Sequence, residues 1–330
     1  MKTVKITDGK FAGKTVEGTF DLVRMFTYWN NAKQREEMGK NGKVTIIIEG
    51  KEKGIWVNAE DCEYSEDVLP VATIVTDDEI KARIRKRFEV MDKMGRGVIS
   101  GVIRSLIISG APGIGKTFGL EKQLNKAQSQ GRIEVDMVKG RISAIGLYVK
   151  LYENREAGCV TVLDDIDVFS DENTINLLKA ALDTGEQRWL SWETAAEWLK
   201  EKDIPNHFEY EGSIVFITNM NIDKELEKSG KIVPHLDALI SRSIYLDLGV
   251  HTNRDIMIRV EDVIATTTML EERGITAFQQ TELVFWMKEN VDRLRNVSLR
   301  TALFIADFIK TDADWKDIAE VTLIKPNNRF

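Results

Sequence analysis

The sequence is short of several things, and each shortage excludes a class of protein. It has two cysteines, Cys62 and Cys159, far apart in 330 residues. Two thiols cannot build a disulfide framework or a cysteine-rich zinc site, and their scarcity fits a reducing cytoplasm. Its three histidines, His207, His235 and His251, form no metal-ligand pair at helical spacing. Each reads as a surface or hydrogen-bonded side chain. No apolar run approaches the ~18 residues that a membrane-spanning helix needs. The opening stretch MKTVKITDGK has no apolar core behind its lysines and does not read as a secretory signal. No membrane partner is expected, and the expected location is the cytoplasm. Basic excess is lacking too: 46 Lys and Arg stand against 53 Asp and Glu, a formal charge of −7. That excludes a protein binding DNA over its whole surface, though not one with a local basic groove. What remains, 43% hydrophobic and 30% charged residues, is globular and neither disordered nor fibrous.

Length suggests about two domains, and the pattern along the chain divides it. Residues 1–66 alternate short strand-like runs (VKIT, KTVEGTF, KVTIIIEG, GIWVNAEDCEY) with turn signals such as Asp8-Gly9 and Asn41-Gly42. A helical piece is expected at roughly Asp21 to Met38. This is a small β-rich domain, and DGKFAGKTVEG resembles the opening of SH3-like barrels. Residues 67–78 form a linker containing Pro70. Thr76 and Glu79 have capping-box spacing and predict a helix start. Ile80, Ile84, Phe88 and Met91 form its buried stripe, and Gly95 and Gly97 are expected to stop it. Lys81, Arg83, Arg85, Lys86 and Arg87 occupy the other face, read as solvated rather than as a nucleic-acid contact.

From Ile103 onward, strands alternate with helices. Ile103–Ser109, Ile133–Val138, Cys159–Leu163, Ser213–Thr218 and Ser243–Leu248 are near-continuous apolar runs, as in strands covered on both faces. The fold class is therefore α/β, a doubly wound parallel sheet of five strands over residues 79–250. Residues 251–330 read wholly as helix, with starts near Thr252, Ala277, Ser298 and Trp315.

The strongest chemical signal is GAPGIGKT: Gly110, Ala111, Pro112, Gly113, Ile114, Gly115, Lys116 and Thr117. It fits GxxxxGK[ST] between an apolar strand and a helix. Backbone N–H groups of such a loop cradle phosphates, Lys116 faces the β- and γ-phosphates, and Thr117 offers a hydroxyl to Mg²⁺. The pattern arises by chance in only about one chain in a hundred of this length. The second signal, VTVLDDID, ends an apolar strand in carboxylates. Asp164 is the candidate for holding Mg²⁺ beside the P-loop, and Asp165 faces the γ-phosphate side and could polarise water. ATP and Mg²⁺ are the expected cofactors.

Together these residues resemble an AAA+ ATPase over about residues 79–330, with a C-terminal helical lid at 251–330. GAPGIGKT matches the family's Walker A motif and LDDID its Walker B segment, with Asp165 where the family usually has Glu. The resemblance implies further roles. Asn219, ending IVFITNMN, matches the polar sensor-1 position. Arg242, in HLDALISRSIYLDL, resembles the arginine of clamp-loader-like members that reaches a neighbouring subunit's nucleotide, with Ser243 replacing their Cys. Arg300, in NVSLRTAL, matches the lid arginine called sensor 2, with Arg293 and Arg295 as competitors. A homo-oligomeric ring, first of all a hexamer, is implied. More narrowly, ISAIGLYVKLYENREAG, NLLKAALDTGEQRWLSW and HFEYEGSIVFITN look like bacteriophage-encoded AAA-family ATPases. The stretch Met94 to Ile99 is the expected source of the adenine contact.

Two features bear on the substrate. The loop MVKGRIS carries Lys139 and Arg141 where protein-threading members favour an aromatic residue, which suits a phosphate backbone and a nucleic-acid partner. The insertion Glu186–Glu211 contains Trp189, Trp192 and Trp198 and reads as a local mini-core. Two functions follow: an ATPase acting in a DNA transaction, or a protein-remodelling ATPase that recruits a client through its N-terminal domain. A nucleotide-gated scaffold is a third.

Overall fold

The computed structural model describes residues 3–29, 32–48, 50–64, 75–169, 171–193, 197–228, 230 and 232–326. They divide into two units, Met1–Val75 and Thr76–Phe330. Most of the 67–78 linker, Pro70 included, lies outside the described residues.

In the first unit the strands are β1 (Thr3–Phe11), β2 (Lys14–Tyr28), β3 (Gly42–Ile48), β4 (Lys51–Val57) and β5 (Cys62–Tyr64), with helix α1 (Ala32–Met38) between β2 and β3. The pairs β1–β2, β2–β3, β3–β4 and β4–β1 are all antiparallel, so four strands close on themselves, and β5 adds to β1. Alternation puts Val4, Ile6, Val44, Ile46, Ile55 and Val57 inside. The helix expected from Asp21 starts only at Ala32. Residues 21–28 are strand because β3 pairs along Leu22–Tyr28, continuing the strand that β1 pairs up to Asp21, and long-range pairing overrides local helical spacing.

In the second unit α2 (Asp77–Ile99) precedes β6 (Ser105–Ser109), α3 (Lys116–Ser129), β7 (Glu134–Lys139), α4 (Ala144–Glu153), β8 (Cys159–Asp164) and α5 (Glu172–Ala181). The hairpin β9 (Trp189–Ser191) and β10 (His207–Glu209), with α6 (Glu197–Glu201) inside it, leads to β11 (Ser213–Thr218), α7 (Ile222–Leu226), α8 (Val233–Ile240) and β12 (Ile244–Asp247). The expected five-stranded parallel sheet is present, in the order β12-β6-β11-β8-β7. Neighbouring residues face opposite layers. Leu106, Ile108, Val215 and Ile217 pack with α2 and α3, whereas Ile107, Ile214 and Phe216 pack with α4, α5 and α8. Four helices complete the unit: α9 (Asn253–Thr266), α10 (Ala277–Glu289), α11 (Leu299–Thr311) and α12 (Trp315–Leu323).

Helix α2 begins with the capping box, the Thr76 hydroxyl accepting from the Glu79 N–H at 3.2 Å. It does not stop at Gly95. A Cβ there would lie 2.7 Å from Gln123 Oε1 of α3, and one at Gly97 would lie 2.5 Å from Ile103 Cδ1. These glycines let neighbours approach; they do not end the helix. The basic face of α2 is not simply solvated either. Arg83 pairs with Asp255, Arg85 and Lys81 with Asp262, and Arg87 with Asp247. These ion pairs fasten α2 to α9 and β12.

The 186–211 insertion builds part of a mini-core. Leu190, Leu199, Ile204, Phe208 and Tyr210 are buried with Tyr148, whose ring meets Phe208 at 5.1 Å and Trp192 at 5.8 Å. Trp189 stays outside it, 52% exposed. The Trp198 side chain lies outside the described residues.

Candidate functional site

The P-loop runs from the end of β6 into α3, at the carboxyl edge of the parallel sheet. There the next strand over but one, β8, ends in Asp164 and β11 ends just before Asn219. Parallel order brings these ends together, although they are far apart in sequence. The Thr117 Oγ1 donates to Asp164 Oδ1 at 2.9 Å. Lys116 is 5% exposed, and its ammonium donates to the carbonyls of Gly110 (2.6 Å) and Ala111 (2.8 Å) and to Asn219 Oδ1 (2.8 Å). The Asn219 Nδ2 donates to Asp165 Oδ2 at 2.7 Å. One amide thus bridges the P-loop lysine and the Asp165 carboxylate, and these two contacts determine which way it points.

Burial drives the Lys116 pKa down to about 8, against the pull of the Asp165 and Asp164 charges, with Arg300 adding to the fall. A cation held in so dry a position is poised to gain from phosphate charge, because desolvated electrostatic contacts are strong. Asp165 has a left-handed backbone, φ +54°, and its N–H donates to the Ile217 carbonyl at 2.9 Å. Asp tolerates this conformation better than Glu, since its short side chain can bond locally.

Oxygen ligands suit Mg²⁺, which binds proteins through one or two carboxylates and takes its remaining ligands from water and phosphate. Adjacent corners of an octahedron with ~2.1 Å bonds are about 3 Å apart; the hydroxyl of Thr117 and the carboxylate of Asp164 have that separation. Among the described residues no group of three or more His, Cys, Asp or Glu forms an all-protein cage.

The remaining expected residues are placed as follows. Arg300 starts α11 beside the P-loop: a Cβ on Gly113 would sit 3.9 Å from its Cγ. Its competitor Arg293 is engaged by Asn290 and Glu320. The Leu299 N–H donates to the Gly113 carbonyl at 2.8 Å, and a Gly113 Cβ would meet the Ser298 Cβ at 2.7 Å. Gly113 also has φ +68°, so only glycine allows this close seat. Arg242 stands away from this cluster, donating to the Ala238 carbonyl at 2.9 Å with Asp183 at 3.8 Å.

One residue near the site, Arg259, has no motif signal, and Lys139 takes a position that its motif does not give. Lys139 was expected to be a free loop cation. It ends β7 in register with Asp164, 4.0 Å from that carboxylate and 3.5 Å from Glu121. Its position follows from the β7–β8 register, which sequence spacing does not reveal. Arg141 is exposed in the following loop. Arg259 of α9 stacks over Phe88, 3.7 Å from its centroid, with its Nε 3.5 Å from the Ile114 carbonyl. Burial lowers its pKa to about 10. The half of α2 nearest the P-loop is therefore around Phe88 and Met91, the latter 3.2 Å from a Gly119 Cβ. Met94–Ile99, the expected adenine contact, packs further along against α3 and Ile103.

No family model matches the chain. It is 52% identical over 321 residues to a protein of Enterobacteria phage T4, described as an "Uncharacterized 36.7 kDa protein in nrdC-mobD intergenic region", and the match covers 97% of each. Solved structures with a similar course include a RuvB point variant from Thermotoga maritima (15% identity, TM-score 0.43, 73% of this chain and 70% of that one). The replication initiator DnaA bound to AMPPCP and single-stranded DNA is another (16%, TM-score 0.42, 72% and 65%). No helix among the described residues is long and apolar enough to cross a membrane.

Proposed function

The chain belongs to the same family as this phage T4 protein and has the AAA+ fold, and from that premise we propose that it is an Mg²⁺-dependent ATPase. The observation that carries the reading is the chain of contacts Thr117–Asp164 and Lys116–Asn219–Asp165 at one sheet edge. In-line attack of water on a γ-phosphate needs positioning and charge neutralisation more than covalent chemistry. Thr117 and Asp164 would hold the metal, which would supply Lewis acidity toward the phosphate oxygens. Lys116 turns from the Gly110 and Ala111 carbonyls to the phosphates, and Arg300 adds a second cation. Asp165 and Asn219 together orient the attacking water. Arg242, remote from its own P-loop, serves the nucleotide of a neighbouring copy in a ring-shaped homo-oligomer, a hexamer in this reading.

The ATPase acts in a phage DNA transaction, with Arg141 as the exposed loop cation facing phosphate. A second reading, protein remodelling, is favoured by two observations. Lys139 is engaged by Asp164 and Glu121, and the N-terminal unit exposes Val23, Tyr28 and Ile47, a surface fit for a protein client. The experiment is ATP turnover measured alone, with single-stranded DNA, with duplex DNA and with unfolded protein. Stimulation by DNA that falls steeply with salt supports the first reading; stimulation by unfolded protein alone replaces it with the second.

A further inference from the structure

A second cationic site lies on the side of the core that carries Arg242. Lys179 of α5, Asp183, Gln187, Arg188, Trp189 and Arg242 line a shallow pocket of about 320 Å³. Lys179 is braced by His235 Nδ1 at 2.9 Å, and Arg242 by α8 through Ala238. Arg188 behind them is 1% exposed, one of the largest fully buried side chains. Its guanidinium is held by the carbonyls of Ala181 (2.7 Å) and Gly212 (2.6 Å), and its Nε has no partner. The Tyr210 ring lies 4.9 Å from the guanidinium carbon, and Asp183 and Glu211 offset only part of the cost of burying this charge beside Arg104. Asp183 is the lone carboxylate lining the pocket, against three cations.

The apolar part is as unusual as the charge. Trp189 is 52% exposed, and Ile244, two residues beyond Arg242 on edge strand β12, is 46% exposed. Exposed Trp beside Arg is the composition of an interface centre, where a ring that excludes water strengthens the charged contacts it surrounds.

We infer that the β9–β10 hairpin docks this pocket onto the nucleotide-bearing face of a second copy of this chain, with Lys179 joining Arg242 at that copy's phosphates and Trp189 sealing the contact from water. Charge complementarity selects this occupant. The opposing face carries Asp164, Asp165 and Glu121 among Lys116, Lys139 and Arg300, and the bound triphosphate turns it into an anionic surface facing a cationic one. The inference rests on the ATPase reading and adds to it: the insertion becomes part of a shared site, with Lys179 touching phosphate and Trp189 as a positioning residue.

The test uses the full chain and three readouts: affinity for a fluorescent ATP analogue, assembly state by sedimentation, and phosphate release. Lys179→Ala should bind the analogue as wild type does and release phosphate about 10²-fold more slowly, the usual cost of one lost electrostatic donor. Trp189→Ala should also keep binding and lose about tenfold in turnover at fixed protein concentration, recovering as concentration rises, because the lost contact is intermolecular. Trp189→Phe should restore most of the rate. Mixing Trp189→Ala with Lys116→Ala should regain activity, since intact P-loops then meet intact hairpins. Wild-type turnover by both variants overturns the inference while leaving the ATPase reading standing. So does loss without recovery on mixing when the variants co-sediment, which marks a purely internal role. A wild-type protein that binds the analogue but never hydrolyses ATP overturns both.

Discussion

Two substitutions separate the roles of Lys116 and Asp165. Lys116→Ala removes the buried ammonium and should abolish tight ATP binding, read as loss of the fluorescence change on titrating a nucleotide analogue. Asp165→Asn should bind normally, because the proposed metal ligands Thr117 and Asp164 are untouched, and should lose about 10²-fold or more in turnover. Hydrolysis at the wild-type rate would make Asp165 a structural carboxylate. The P-loop residues and Asp164 are legible in sequence because the chemistry demands fixed types at fixed local spacing. Two features were not legible. The left-handed backbone of Asp165 depends on its N–H reaching the Ile217 carbonyl of another strand. The proximity of Lys139 to Asp164 depends on strand register.

Asp262 of α9 gathers Arg85 and Lys81 of α2, with Arg259 of its own helix, onto one buried carboxylate. Burial pushes its pKa up, but the bond from Arg85 and the surrounding cations more than reverse this, leaving it below the ordinary 3.8. A carboxylate lowered in the folded state stabilises fully above its unfolded value and loses that contribution as pH falls through the folded one. Asp262→Asn should therefore cost about 1 kcal/mol in denaturant melts at neutral pH, since Arg85 and Lys81 can turn to water and only Arg259 is left unpaired where it is buried. The difference from wild type should begin to narrow near pH 3.8 and close only below the lowered value of the folded state. A constant difference at all pH values would contradict the clasp. At this scale the apolar strands and the caps at Thr76, Thr252 and Ser298 were readable, because both signals are local. The basic face of α2 was not, since its partners Asp247, Asp255 and Asp262 come from the other end of the unit. The same holds for Gly95 and Gly97, whose meaning lies in Gln123 and Ile103, and for residues 21–28, whose strand state comes from pairing with β3.

At the scale of the whole molecule, the proposed shared site would make activity a property of the assembly. Specific activity should rise with protein concentration, and Arg242→Ala should keep nucleotide binding while losing about 10³-fold or more in rate, the scale of an arginine donated in trans. An Arg242→Ala protein with wild-type turnover would remove the chemical basis for a ring. The succession of strands and helices was legible in the sequence, but the order β12-β6-β11-β8-β7 was not, because apolar runs do not say which strand lies beside which. Nor was the seat of α11 on the P-loop through Leu299 and Gly113, a contact that no local pattern encodes. The central claim is that the Lys116, Thr117, Asp164 site hydrolyses ATP. Its most direct test is phosphate release by the purified full-length protein with Mg²⁺ and ATP, run beside Lys116→Ala at equal concentration across a range that spans assembly. The account predicts steady turnover that grows with concentration in the first and none above background in the second; equal rates in both, or none in either while the wild-type protein is assembled, would contradict it.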